Sequence, residues 1–351
     1  MRNACFLLIA ALAAGAGAVS FLRSGPRSNA APANDALATG IIYYRSQWND
    51  KPRMWHMNAD GSNKMPLAGN VDGEPSWGWH NGHRWFLSVR AVGAEAGSGG
   101  AARYQPLGIR DDGVEVPLAT GTDWEPGPFT PRWLPGTTDT LVSWVARRCD
   151  GDGRVVEGGV YVARVLFDAA GDVLGLAEQS ERPRLPLPLV RVARGEPWYA
   201  ADVPDISSHD WSPDATQVVF GSTAERLYVA DVVAGAAREL PAPGRNPVWS
   251  PDGAYVAFQS GEPLSAVVVV RPDGTGLRPI LEPAHKELAA CGDPVWSPTG
   301  GHVAYRWLGD ATKVVGEPLD MDVCRARADG DRDIVLTTDT HEFMRPVAWR
   351  D

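Results

Sequence analysis

The sequence predicts an all-β fold: a six-bladed β-propeller, four antiparallel strands to a blade, with a C-terminal strand completing the first blade. Three observations carry that prediction. The phrase PVWSPDGAYVAF at 247–258 returns nearly unchanged as PVWSPTGGHVAY at 294–305. Looser copies recur along the chain, and an internal period of ~40–50 residues is the signature of propeller blades. Composition agrees, because Gly 38, Pro 29 and Trp 14 among 351 residues supply many turns and large flat side chains, which suit short strands.

From the N-terminus, Arg2 precedes the apolar run ACFLLIAALAAGAGAVSFL, and RSGPRSNAAPANDALA follows. A charged start, an apolar middle and small residues spell an export signal, with cleavage expected after Ala18 or Ala30. The run from Ala4 to Leu22 is 19 residues long, enough to remain as a membrane anchor. Residues 1–30 therefore read as a signal peptide or an N-terminal membrane anchor, 31–39 as a linker and 40–351 as the propeller. Either reading places the bulk of the chain outside the cytoplasm, periplasmic or secreted.

The propeller opens on IIYYRS, RMWHMNADG and NKMPLA, the second, third and fourth strands (b, c, d) of a blade that lacks its first strand, a. Strand a then heads every later unit: EPSWGWHNG from 74, TPRWLPGTTD from 130, SHDWSPDA from 208, NPVWSPDG from 246 and DPVWSPTG from 293. The apolar runs RWFLSV, TLVSWV, QVVFGS, AYVAFQS and HVAYRW follow as strands b. Asp-Gly pairs in ADGSN, DDGVE, PDGTG and ADGDR supply the positive φ of tight hairpins, and SPDG serves the a–b turn.

Trp211, Trp249, Trp296 and Trp349 fall 38, 47 and 53 positions apart. The last of them, in RPVAWRD, marks an a strand with no b, c or d behind it. The two chain ends thus complete one shared blade, which leaves no sheet edge open to aggregation. A single blade cannot bury both faces and must stack on near-copies of itself. Each Trp fills the wedge between neighbours, burying ~150–250 Å², about 4–6 kcal/mol as an upper bound.

A net charge of −10 and the lack of any Lys/Arg run exclude a phosphate-binding face, so no nucleic-acid partner is expected. A polybasic membrane patch is excluded on the same ground, which leaves the membrane to the N-terminal segment alone. A monomer without cofactors is expected. Beyond the export segment stand Cys149, Cys291 and Cys324, which allow one disulfide and one thiol. Cys291–Cys324 is the expected pair, worth ~3–4 kcal/mol through chain entropy; three buried thiols are the alternative.

WSPDG followed by VAF and later by DGTGLRPI resembles the repeats of TolB-type six-bladed propellers, themselves distantly like Trp-Asp-repeat blades. Similar repeats occur in the propellers of prolyl-oligopeptidase-like enzymes. The resemblance is clearest at 206–281 and 293–307 and covers residues 40–351 as architecture. It implies the fold and favours docking of a partner's extended segment. TolB carries an α/β domain before its propeller, whereas residues 31–40 lead straight into strands. The hydrolase motif G-x-S-x-G and the sialidase-type S-x-D-x-G-x-x-W box are both absent.

Strands a and c run one way and b and d the other, so the start of a, the b–c turn and the d–a connection share one face. The long b–c connections 93–101, 148–157 and 308–320 and the d–a connections 120–130, 180–205 and 282–293 all belong to it. Function sits on variable loops held by a rigid scaffold. The residues preceding the a strands, Glu74, Thr130, Ser208, Asn246, Asp293 and Arg345, ring the channel mouth there, and all are polar. They form either a ring that grips a peptide end, a sugar or an ion, or only the polar start of solvent-facing strands.

The Pro-rich insertion SERPRLPLPLVRVARGEPWYAADVPDIS, with Trp198 and Tyr199, reads as a lid over the mouth or as cover for the third blade. His80 and His83 lack a third ligand, and Glu317, Asp320 and Asp322 fall short of the six oxygens calcium needs, so no metal is assigned. No catalytic residue is assigned either. The expected function is an exported, non-enzymatic, envelope-associated propeller that binds a protein or peptide at its loop-rich mouth. The alternatives are an extracytoplasmic carbohydrate-active hydrolase or lyase using mouth carboxylates such as Glu74 and Asp293, and a structural envelope protein tethered by residues 4–22.

Overall fold

Strands account for all the regular structure in a computed structural model that describes residues 39–48, 51–67, 76–80, 83–92, 103–110, 114–118, 125–126, 131–135, 141–149, 155–170, 173–176, 191–192, 206–222, 224–232, 234, 236–260, 266–280, 291–308, 321–330, 333–337 and 343–350. The fold is an all-β propeller with no helix among these residues. The expected export segment, 1–30, lies outside them.

The chain opens with β1 (Ile41–Trp48), β2 (Lys51–Asn58) and β3 (Met65–Pro66). A four-stranded sheet follows: β4 (Ser76–His80), β5 (His83–Val92), β6 (Arg103–Arg110) and β7 (Glu115–Pro117). In the next, β8 (Glu125–Pro126) and β9 (Arg132–Trp133) both pair along β10 (Leu141–Cys149), which leads to β11 (Val155–Phe167) and β12 (Val173–Leu176). β13 (Arg191–Val192) lies parallel to the outer edge of β14 (Ile206–Trp211), β15 (Gln217–Ser222), β16 (Leu227–Asp231) and β17 (Ala236–Glu239). β18 (Gly244–Trp249), β19 (Val256–Ser260), β20 (Val267–Val270) and β21 (Arg278–Pro279) form another sheet. β22 (Cys291–Trp296), β23 (His302–Leu308), β24 (Met321–Arg327), β25 (Asp333–Val335) and β26 (Phe343–Arg350) end the chain.

Closure takes the expected form. β26 pairs antiparallel with β1, from Ile41 opposite Arg350 to Gln47 opposite Phe343. Among the described residues the hydrogen-bonded sheets number five rather than six, because a parallel bridge between Met321 and Phe343 joins β22–β25 to β26 and β1–β3 in one eight-stranded sheet. The buried apolar residues fall into six clusters, each shared by two successive four-stranded units. One joins Tyr43 and Met54 to Leu107 and Ile109; another joins Ile42 and Met57 to Ala304 and Val323. β-Branched and aromatic side chains alternate onto these interfaces, which is the surface a pleated strand offers.

The repeated Ser-Pro-Asp turn has a specific chemistry. Ser250 Oγ donates to Asp252 Oδ1 (2.6 Å) and accepts from the Tyr255 amide (2.9 Å), and Asp252 caps the Ala254 amide (3.0 Å). Ser212 and Asp214 repeat the arrangement around Gln217 and Thr216. The serine hydroxyl holds both aspartates below the usual carboxylate range. Left-handed backbone follows, at Gly253 (φ 72) and Gly300 (φ 72) where glycine meets it without strain, and at Ala215 (φ 56) where it does not.

Two expectations need correction. Cys291 and Cys324 are both thiols, not a cystine. They sit on β22 and β24, on either side of β23, opposite Trp307 and Tyr305. Two strand spacings, about 9.5 Å, exceed the reach of a disulfide. The 148–157 connection is also shorter than expected, since β10 continues to Cys149 and β11 begins at Val155.

Candidate functional site

The inner strands set the site. β14, β18, β22 and β26 stand side by side, and with Arg132 of β9 they wall a central channel. Its waist, bounded by Arg132, Ser208, Asn246, Val248, Asp293, Val295 and Val347, encloses about 30 Å³. It is far smaller than the cavities on either side of it.

Above the waist, β18 and β22 carry the same irregularity. Each shifts register against its partner strand, between Arg245 and Val248 and between Gly292 and Val295. Asn246 (φ 52) and Asp293 (φ 51) occupy the left-handed region there. Such backbone costs ~1–3 kcal/mol per residue, is best tolerated by Asn and Asp, and gathers at functional sites. The two side chains join across the sheet boundary, with Asn246 Nδ2 donating to Asp293 Oδ1 (2.7 Å). Buried Gln259 presses against Gly292, where a Cβ would clash with its Oε1.

The bulges open onto a cavity of about 400 Å³. Asn246, Asp293 and Arg345 line it with Arg45, Arg245, Arg306, Gln259, Met321 and Met344. Arg306 Nε donates to Asp293 Oδ2 (2.7 Å), and its Nη1 approaches Met321 Sδ (3.6 Å). This pair is 20% and 11% exposed, so it forms part of the wall. Arg245 pairs with Glu225 (3.0 Å), itself in the left-handed turn between β15 and β16 (φ 60). Arg45 and Arg345 face each other directly across β1 and β26.

The Ser-Pro turns lie at the other end, around a second cavity of about 380 Å³ lined by Trp133, Trp211, Trp249, Trp296 and Trp349. Arg132, Asp210 and Arg350 line it too, with Arg132 Nε 3.8 Å from Asp210 Oδ1 and the Trp249 amide donating to Asp210 Oδ2 (2.8 Å). Burial pushes the Asp210 carboxyl up, against the pull of Arg132. Behind it, Trp211 Nε1 donates to Ser143 Oγ (2.8 Å), which meets His209 Nε2 (2.8 Å). The Ser143 hydroxyl also reaches the Arg132 carbonyl (3.4 Å), and His209 Nδ1 is a buried atom with no hydrogen-bond partner. Burial, with Arg132 nearby, lowers the His209 pKa to about 3. Ser143 is fully buried, so this constellation clamps two sheets and is closed to substrate.

Of the six expected ring residues, Asn246, Asp293 and Arg345 share the mouth cavity, and Ser208 lies at the waist. Glu74 and Thr130 lie outside the described residues, as do Trp198 and Tyr199 of the insertion. Arg191–Val192 of that insertion pairs with Ala236 and Ala237 of β17, at the outer edge of the fourth unit and not over the third. His80 and His83 oppose each other across β4 and β5, and Asp322 accepts from Thr337 Oγ1 (2.9 Å). Among the described residues no three metal-ligating side chains converge. The starts of the a strands did not point to Arg45, Arg245, Arg306 or Gln259. The Asn-Pro and Asp-Pro pairs at 246 and 293 were the available signal for the bulges.

No protein-family model matches the chain, and no curated protein matches it in sequence. Among solved structures it resembles TolB from Acinetobacter baumannii at 14% identity, covering 88% of this chain and 66% of that one with a TM-score of 0.54. A putative TolB from Agrobacterium tumefaciens matches at 16% identity over 89% of this chain and 99% of that one, TM-score 0.49. A puromycin-hydrolysing peptidase from Mycobacterium tuberculosis matches at 14% identity over 85% of this chain and 45% of that one, TM-score 0.45. At such identities the likeness is one of fold: the chain has a β-propeller of the kind found in TolB.

Proposed function

We propose that the chain is an exported six-bladed propeller that binds a protein partner by seating an extended peptide segment in the mouth above the waist. The count of six blades rests on the six shared core clusters, with the eight-stranded sheet taken as two blades bridged at Met321 and Phe343. Export rests on the N-terminal charged and apolar run. The observation that carries the binding role is the mouth cavity, walled from two sheets and built around two strained bulges. Met321 adds adaptable apolar surface of the sort that accommodates peptide side chains.

For the carbohydrate-active alternative, two carboxylates would have to flank one bond. Asp293 is the single carboxylate among the described lining residues, and Arg306 and Asn246 hold it. Panning a random dodecapeptide phage library against the purified chain tests the proposal. Enriched peptides that lose binding about tenfold or more on Asn246→Ala or Arg306→Gln, with melting preserved, are the expected result. No enrichment, or binding indifferent to both substitutions, would refute it.

A further inference from the structure

We infer that the mouth selects an acidic segment: the peptide it takes carries Asp or Glu side chains, and the arginines of the wall read their carboxylates. This rests on the peptide-docking reading above and adds its chemistry.

Four guanidiniums, Arg45, Arg245, Arg306 and Arg345, share the cavity wall with one carboxylate, Asp293, in a chain whose net charge is −10. Overall acidity would favour a negative cleft, so local reversal of sign marks this one. Arg45 and Arg345 stand in direct cross-strand register, which brings both guanidiniums to one stretch of the wall. Between walls of lower dielectric, such a cluster focuses a positive field outward and attracts anions. Guanidiniums also suit carboxylates geometrically, because each presents donors in a planar fork.

For Arg245 and Arg306 the internal partners leave part of this capacity open. Arg306 uses Nε on Asp293 and Nη1 on Met321, and Arg245 uses Nη2 on Glu225 while its buried Nε has no hydrogen-bond partner. Each guanidinium has five N–H donors, so both keep donors for a ligand. Asp293 and Asn246 act as positioning residues that aim Arg306 from the strained bulges. A polypeptide is favoured over a sugar acid because the described lining has two methionines and no aromatic face on which a sugar ring could stack.

The test uses the full chain and three probes: a capped hexapeptide alternating Ala and Asp, its Ala/Asn counterpart, and trigalacturonate. The Asp peptide should bind at least about tenfold more tightly than the Asn peptide, and more weakly as salt rises. Arg345→Gln and Arg245→Gln, each checked for an unchanged melt, should each remove most of that preference. Equal binding of both peptides, or a preference that survives both substitutions, overturns charge selection while leaving peptide docking intact. Binding of trigalacturonate alone, or of none of the probes, overturns both.

Discussion

A chain ending at residue 342 will lose cooperative unfolding, because removing β26 opens the ring. The strand supplies the whole ladder to β1, from Phe343 to Arg350. It carries Met344 and Trp349 into one buried cluster and Ala348 into the next, so both flanks of the closing unit are stripped at once. Trp349 is 2% exposed, and its indole donates to the Thr39 carbonyl (2.8 Å). Losing that side chain alone costs ~3–5 kcal/mol. The total then reaches the ~5–15 kcal/mol that holds a typical domain together. Circular dichroism on heating should show a broad, non-cooperative transition or aggregation at the bared edge of β1. Trp349→Ala alone should still melt cooperatively, at clearly lower temperature. A truncated chain that melts within a few degrees of the full chain would remove closure as the basis of the fold.

Mild acid will weaken the fold through one histidine. His209 is 2% exposed, and burial holds its pKa near 3 against an ordinary 6.5. Its folded pKa is depressed, so the unfolded chain takes up a proton that the folded chain refuses. The contribution is therefore complete above pH ~6.5 and is lost as pH falls toward 3, at about 1.4 kcal/mol per unit. Asp210 acts with the opposite sign: burial raises its pKa, so the folded state protonates first and gains stability on acidification. A paired measurement separates the two. Urea unfolding of the native chain and of His209→Gln, between pH 7 and 5, should differ by ~2 kcal/mol in pH dependence, the variant being flatter. Parallel curves would show that His209 does not titrate as its burial demands.

The architecture was legible because its determinants are local and repeated. The Ser-Pro-Asp turns write their own hydrogen bonds, the landmark tryptophans mark each wedge, and Trp349 announced an a strand without followers. The mouth was half legible. Asn246, Asp293 and Arg345 follow from strand polarity, although each is the third residue of its a strand, β18, β22 or β26, and not the residue before it. Arg45 and Arg306 sit on b strands, and only the three-dimensional stacking of units aims them at the same cavity. Cys291 and Cys324 failed for a related reason: belonging to one repeat does not bring two strands together when a third lies between them.

The claim that a peptide seats in the mouth is tested most directly by methyl NMR of the protein labelled at its six methionines. Met321 and Met344 line the mouth, whereas Met54 and Met57 are buried in the closing unit. Titrating the acidic hexapeptide should shift the Met321 and Met344 methyl signals and leave those of Met54 and Met57 in place. Saturable binding with the Met321 and Met344 signals unmoved would contradict the account.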